Sequence, residues 1–427
     1  MKRISHLLML LLLVIVSANA SNKELYQKLC TLKEVITIDS LPSDYYSEKY
    51  VITVRQPLDH KHPEKGSFSQ RVVVSHEGFD RPTVLVTEGY GGDYALNPRY
   101  QDELARLFQT NTVFVEHRYF SGSVPESVDW QYLTAQNSAS DLHLITTLFK
   151  QIYPQKWIST GISKGGQTAL IYRAFFPDDV DITVPYVAPV SRSAEDGRHE
   201  PFLNKVGEKK TRQAILSFQR EVLKRRGEII PLLEKFCLEK QLSFRISMNE
   251  VLDYCVLEYS FAFWQWGTPA SHIPANTATT GVLFKHLTEI SGPDYFAIGQ
   301  PTQAFFIQAA RELGYYGYDI EPFKDLLSIQ TAKDYLHRIM LPEGITIQFQ
   351  PELYKKLTNF IATSDPRLIF VYGEYDPWTS VGITKLDGKK NMFVAIQPKG
   401  NHRARINTLP DSLRDKVIKT INLWLKK

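Results

Sequence analysis

Four short runs in this chain leave no room for a polar face. Thr83-Val84-Leu85-Val86-Thr87, Thr112-Val113-Phe114-Val115, Leu368-Ile369-Phe370-Val371-Tyr372 and Met392-Phe393-Val394-Ala395-Ile396 are apolar almost throughout. A strand with one face in water alternates apolar and polar residues; a strand covered on both faces does not. Such runs predict a parallel sheet sandwiched between helices. The segments between them carry helical spacing. Leu142, Ile145, Leu148, Phe149 and Ile152 share one face of 137–152, and 98–109 and 410–425 also read as helix. Runs at 156–161 and 182–187 add two strands, so β and α alternate along the chain. Two further strands, 49–56 and 69–76, flank a turn-rich stretch, Asp59 to Gly66, and predict an antiparallel N-terminal edge. His60 and His62 in that turn read as solvated residues rather than metal ligands.

Between Pro189 and Asp365 the alternation stops. Helical stretches at 206–226, 228–240, 248–265 and 302–314 follow one another with no clear buried strand. We read residues 190–365 as a helical cap inserted into a catalytic domain made of 21–189 and 366–427. Insertions at the carboxyl ends of such strands overhang the ligand crevice. Ser247-Met248-Asn249-Glu250 has the form of a capping box opening the third of these helices. A hairpin folded near residue 246 would bring Cys237 opposite Cys255, as a disulfide or as two buried thiols; Cys30 has no partner in either case.

Met1-Lys2-Arg3, the apolar run Leu7 to Val16, and Ser17-Ala18-Asn19-Ala20 form a basic, an apolar and a small-residue segment in the order of a secretory signal peptide. Residues 1–20 are expected to be removed and the protein exported, to the periplasm or the medium. No later run approaches the ~18 apolar residues of a membrane span. The formal charge of +4 falls to +2 without Lys2 and Arg3, which gives no electrostatic case for nucleic acid.

Chemistry concentrates at Gly161-Ile162-Ser163-Lys164-Gly165, between a strand-like and a helix-like segment. A G-x-S-x-G in that setting is the nucleophile elbow of α/β-hydrolases. A serine hydroxyl needs a base and a group to orient the base, and in this fold the order is Ser, acid, His. The strand 368–372 runs into Gly373-Glu374-Tyr375-Asp376, and 392–396 runs into Gln397-Pro398-Lys399-Gly400-Asn401-His402. Ser163, Asp376 and His402 are thus the expected triad, with Glu374 as the rival acid. The oxyanion hole is expected from the backbone N–H of Lys164 and, in Glu88-Gly89-Tyr90-Gly91, that of Tyr90, with Gly91 next in line. The glycine-rich loop lacks the G-K-[ST] ending of a phosphate cradle. The fold expected is an α/β-hydrolase: a mostly parallel sheet with an antiparallel N-terminal edge and an inserted helical cap.

Longer motifs carry a resemblance. Thr87-Glu88-Gly89-Tyr90, Glu116-His117-Arg118-Tyr119-Phe120, Asp129-Trp130 with Gln136 and Asp141, Trp157 through Gly166, Pro177-Asp178-Asp179-Val180-Asp181, Tyr186-Val187-Ala188-Pro189 and Glu258 through Gln265 together resemble the secreted PS-10 family of serine peptidases, over most of the mature chain. The resemblance implies a prolyl tri- or tetrapeptidyl aminopeptidase acting on Pro-containing oligopeptides. Ser163, Asp376 and His402 match its triad, and no metal or cofactor is implied. Phe261, Phe263, Trp264 and Trp266 offer rigid faces suited to a proline ring, and Glu258 a charge for a substrate's amino terminus. The same aromatics would equally serve as cap core. Glu116-His117-Arg118 reads chiefly as a salt-bridge network between loops. Two other readings keep the fold: an esterase or lipase, since fold and triad do not determine the acyl group, and a non-catalytic peptide-binding protein.

Overall fold

Three of the four runs without a polar face lie inside the sheet, and the fourth closes its edge. The structure, a computed structural model, describes residues 23–426; the segment read as a signal peptide lies outside the described residues. Nine strands are present among them: β1 (Val35–Ser40), β2 (Glu48–Pro57), β3 (Ser67–His76), β4 (Thr83–Thr87), β5 (Asn111–Val115), β6 (Trp157–Ile162), β7 (Ile182–Tyr186), β8 (Leu368–Gly373) and β9 (Met392–Gln397). They make one sheet in the order β1-β2-β3-β5-β4-β6-β7-β8-β9. Every residue of β4, β5, β7 and β8 is buried. Strand β9 has the same composition but is half-buried, because it closes the sheet and has a neighbour on one side only.

Strands β5, β4, β6, β7, β8 and β9 are parallel, while β1, β2 and β3 are antiparallel and β3 joins β5 antiparallel. The pleat divides the side chains of β4 between two layers. Val84 and Val86 pack with Leu104 and Phe108 of α2 (Glu103–Phe108) and Val417, Ile421 and Trp424 of α12 (Asp411–Lys426). Leu85 points the other way, toward Leu25 and Leu29 of α1 (Glu24–Cys30), Leu142, Ile145 and Phe149 of α3 (Ala135–Phe149), and Tyr172 of α4 (Lys164–Phe175). With helices on both faces of a mainly parallel sheet, the molecule has the α/β-hydrolase fold.

Between β7 and β8 every regular element is helical: α5 (His199–Leu203), α6 (Lys209–Lys224), α7 (Arg226–Glu239), α8 (Met248–Trp266), α9 (Thr280–Ile290), α10 (Gln303–Gln308) and α11 (Glu352–Thr363), with single-turn pieces among them. Helix α8 opens with the anticipated capping box. Ser247 Oγ accepts from the Glu250 N–H, and the Glu250 carboxylate accepts from the Ser247 N–H. It closes at Gly267, whose φ of 69° is a left-handed cap. Helices α1, α5, α9 and α11 and strand β1 have no counterpart in the sequence reading. The helix read at 302–314 is α10 followed by a π-helical turn at Ala309–Leu313.

Helices α7 and α8 pack as a hairpin, and Cys237 and Cys255 are buried within it as free thiols rather than a disulfide. Burial in apolar surroundings pushes both thiols up, Cys237 to about 11. That disfavours the thiolate needed to form the bond.

The Glu116-His117-Arg118 charges bind loops together. Arg118 is fully buried. It pairs with both oxygens of Asp141 at 2.6 Å and donates to the carbonyls of Pro57, Leu58 and Tyr132. Glu116 accepts from Arg71, the Gly92 N–H and Ser123. His60 joins this network through Asp141 at 2.7 Å, while His62 is exposed beside Glu64.

Candidate active site

Strand β6 and helix α4 meet at Ser163 with φ 58° and ψ −121°. That region is costly for a residue with a Cβ and persists only where the surroundings impose it. Here they do. The Ser163 N–H donates to the Tyr186 carbonyl at 2.9 Å. A Cβ on Gly161 would lie 2.3 Å from the Gly165 carbonyl oxygen, so strand and helix approach only because residue 161 is glycine, and a Cβ on Gly165 would lie 2.7 Å from the Thr87 carbonyl oxygen of β4. The turn lifts the Ser163 side chain into a half-buried position at the carboxyl end of the sheet.

Asp376 and His402 come together there. His402 Nδ1 lies 2.7 Å from Asp376 Oδ2, and both side chains are buried. Asp376 Oδ1 accepts the Trp378 N–H at 3.2 Å, which orients the carboxylate. The Nε2 of His402 has no partner among the described residues, nor does a hydrogen bond join it to Ser163 Oγ. Catalytic hydrogen bonds are often long before substrate binds. Glu374 is exposed and accepts the Lys399 N–H at 2.7 Å; it does not reach His402.

The two expected oxyanion donors differ. The Lys164 N–H is the first of helix α4 and has no carbonyl to serve within the helix. The Tyr90 N–H, in contrast, donates to Glu88 Oε1 at 3.1 Å. The Gly91 N–H has no partner among the described residues. Burial pushes the Glu88 carboxyl up, against the Tyr94 hydroxyl, backbone N–H groups and the Lys164 charge, which favour its ionised form.

A cleft of about 360 Å³ lies over Ser163, walled by Tyr90, Glu258, Trp266, Phe305, Tyr316 and Trp378 among others. Glu258, Ala262 and Gln265 sit at i, i+4 and i+7 of α8, so one face of that helix forms the wall. Glu258 is 6% exposed and accepts from the Tyr316 hydroxyl at 2.9 Å and the Tyr318 hydroxyl at 2.9 Å. Burial pushes its carboxyl up to about 7, with the two phenols pulling the other way. Tyr295 and Tyr315 continue the chain of hydroxyls. The sequence reading missed these phenols; the cluster Tyr315-Tyr316-Gly317-Tyr318 is its only trace.

Trp264 is elsewhere. It faces a separate cavity on the far side of α8 with Leu257 and Phe261, against Gly207 and edge-on to Tyr375 at 5.5 Å. Trp266, two residues on, lines the cleft and meets the His402 ring edge-on at 5.8 Å. No group of three or more His, Cys, Asp or Glu side chains among the described residues is arranged to hold a metal ion.

Known proteins resemble the chain over most of its length. The model of the family described as PS-10 peptidase S37 matches residues 18–425. A prolyl tri/tetrapeptidyl aminopeptidase of Streptomyces mobaraensis is 33% identical over 391 residues, which is 89% of this chain and 81% of that protein. A probable serine protease of Arabidopsis thaliana is 27% identical over 154 residues, 32% of each chain. A solved proline iminopeptidase of Mycobacterium smegmatis covers 91% of this chain and 99% of its own at 11% identity, with a TM-score of 0.38, too remote to bear on chemistry.

Proposed function

The chain belongs to the PS-10 peptidase S37 family and is a serine peptidase, and we propose from that premise that it cleaves after proline near a free amino terminus, releasing tri- or tetrapeptides. The observation that carries this reading is the placement of Glu258, a carboxylate held by two phenols in the wall of the cleft that contains Ser163. A carboxylate there pairs with the substrate's α-ammonium and fixes the distance to the scissile bond. The similarity to the Streptomyces enzyme supports the proline preference and the product length.

We assign Ser163, His402 and Asp376 as nucleophile, base and orienting acid. Ser163 Oγ attacks the carbonyl carbon of the prolyl residue as His402 Nε2 takes the hydroxyl proton. Asp376 holds the ring through Nδ1–H and stabilises the imidazolium. The tetrahedral oxyanion is assigned to the N–H groups of Lys164 and Tyr90. Collapse expels the amine, which takes its proton from His402, and leaves a prolyl ester on Ser163. Water, deprotonated by His402, then releases the peptide acid. Residues 190–365 are assigned as a cap that closes the cleft, and Trp266 rather than Trp264 as its aromatic wall. We also propose export, with residues 1–20 removed; among the described residues no helix is long and apolar enough to cross a membrane.

The test is turnover of Ala-Ala-Pro-chromogen and of its N-acetylated form by wild type and Ser163→Ala. Release from the free peptide only, abolished in Ser163→Ala, is expected. Equal turnover of the blocked peptide rejects the aminopeptidase reading, and turnover of acyl esters alone favours an esterase. N-terminal sequencing of the secreted protein tests export.

A further inference from the structure

Beside the nucleophile lies a charge that the mechanism above does not use. The Lys164 side chain is 2% exposed, and its Nζ donates to the Gly89 carbonyl at 2.5 Å. The ammonium sits over the rings of Tyr90 and Phe120, at 5.6 and 5.2 Å from their centroids. Burial pushes it well below the ordinary lysine value, with the Glu88 and Glu312 carboxylates partly offsetting that. A lysine side chain buried at such cost marks a functional-site candidate where it also has a specific partner, here the Gly89 carbonyl.

The Gly89 carbonyl and the Tyr90 N–H are the two ends of one peptide group. A cation on the carbonyl oxygen draws electron density from the amide and makes its N–H a stronger donor, the polarisation that strengthens chained hydrogen bonds. It also fixes the plane in which that N–H points. Gly89 is pressed so closely on the start of α4 that a Cβ there would lie 2.5 Å from the Gly165 nitrogen, so the loop has no slack to find another seat. The present acceptor of the Tyr90 N–H is Glu88 Oε1, and an oxyanion must take that donor from a carboxylate.

We propose that the Lys164 ammonium is a positioning residue for catalysis, holding and polarising the Gly89–Tyr90 peptide so that its N–H serves the oxyanion. One residue then builds both halves of the hole: one donor through its own backbone, the other through its side chain. This role presupposes the Ser163 and oxyanion assignments made above.

The test compares wild type with Lys164→Met and Lys164→Gln. Met removes the charge and the donor; Gln keeps an N–H for the Gly89 carbonyl without the charge. Three quantities are read: kcat and KM on a prolyl peptide anilide, and the affinity of a peptide ending in boroproline, which forms an anionic tetrahedral adduct on serine. With Lys164→Met, kcat and boronate affinity are expected to fall by the same factor, on the order of 10–100, with KM within about twofold. Lys164→Gln is expected to lie between Met and wild type, and reads the effect if the Met variant does not fold. An unchanged kcat, or a loss confined to KM with boronate affinity intact, overturns the proposal. A crystal structure of the wild-type boronate adduct separates this from failure of the underlying assignment. If a boronate oxygen sits on the Tyr90 and Lys164 N–H groups while the variants behave as wild type, the side-chain role alone is wrong. If it sits on other donors, the oxyanion assignment is wrong and the proposal goes with it.

Discussion

The backbone N–H of His402 donates to the carbonyl of Gln265, 2.9 Å away. The loop that carries the proposed base is thus tied to the last turn of α8, the helix that places Glu258 in the cleft. Asn401 adds a second tie, its Nδ2 donating to the Trp266 carbonyl at 3.1 Å.

Gly267 tests that tie. Its φ is 69°, and a Cβ there would meet Asn401 Nδ2 at 1.9 Å. Gly267→Ala is expected to push the 400–403 loop away and lower kcat by about 100-fold, the usual result of a misplacement near 1 Å, with KM nearly unchanged. Adding Asn401→Ala removes the clash and is expected to recover much of kcat. Steady-state kinetics on both variants decide it.

The choice between Asp376 and Glu374 is equally direct. Asp376 is buried on His402 and Glu374 is exposed on the Lys399 N–H. Asp376→Asn is expected to lower kcat by roughly 10⁴, since the ring loses both its tautomer and its countercharge. Glu374→Gln is expected to stay within about threefold. A large loss in the second variant would reverse the assignment.

Glu258 carries a pH signature. Its carboxyl is pushed up to about 7 by burial, and only the carboxylate attracts an α-ammonium. KM for free peptides is therefore expected to rise as pH falls through about 7. Glu258→Gln should have a high KM with no such step. The effect on stability has the opposite sense. Between the ordinary value of 4.5 and about 7 the folded state binds more protons than the unfolded, so its stability falls as pH rises through that window. Glu258→Gln is expected to be the more stable protein at pH 8, by roughly 3 kcal/mol from a shift of about 2.5 units, and to lose that advantage near pH 4. Denaturant melts at the two pH values measure it.

The two tryptophans of α8 are expected to separate stability from binding. Trp264 is 7% exposed and packed against Gly207 and Tyr375. Trp264→Ala is expected to cost about 3–5 kcal/mol of stability while KM stays within about twofold. Trp266 is 48% exposed and lines the cleft. Trp266→Ala is expected to raise KM several-fold with little loss of stability. The reverse pattern would return Trp264 to the substrate wall.

What the chain disclosed in advance was what local geometry dictates. Strands β4, β5 and β8 were legible because burial on both faces leaves runs in which apolar residues do not alternate with polar ones. The meeting of Asp376 and His402 was legible because each follows a strand end. The phenols on Glu258 were not, because Tyr316 and Tyr318 lie 58 and 60 residues away along the chain and nothing local announces the contact. Helical periodicity gave the angle between Trp264 and Trp266 but not which of them faces the cleft, since the phase of a helix is set by its neighbours. Strand β1 (Val35–Ser40) escaped because it is a half-exposed edge with a bulge at Val35/Thr37, and its pattern is correspondingly weak. The cysteine hairpin was legible from its two helices, while the choice between a disulfide and two buried thiols, the state the structure shows, was not.

The backbone at Ser163 has a consequence for how this protein can decay. At φ 58° and ψ −121° glycine is at ease and serine is not, so Ser163→Gly relieves roughly 1–3 kcal/mol of strain. The proposed role as nucleophile is what would keep the serine in place. In a lineage whose substrate disappeared, drift would run toward glycine with a gain in robustness and no structural trace elsewhere.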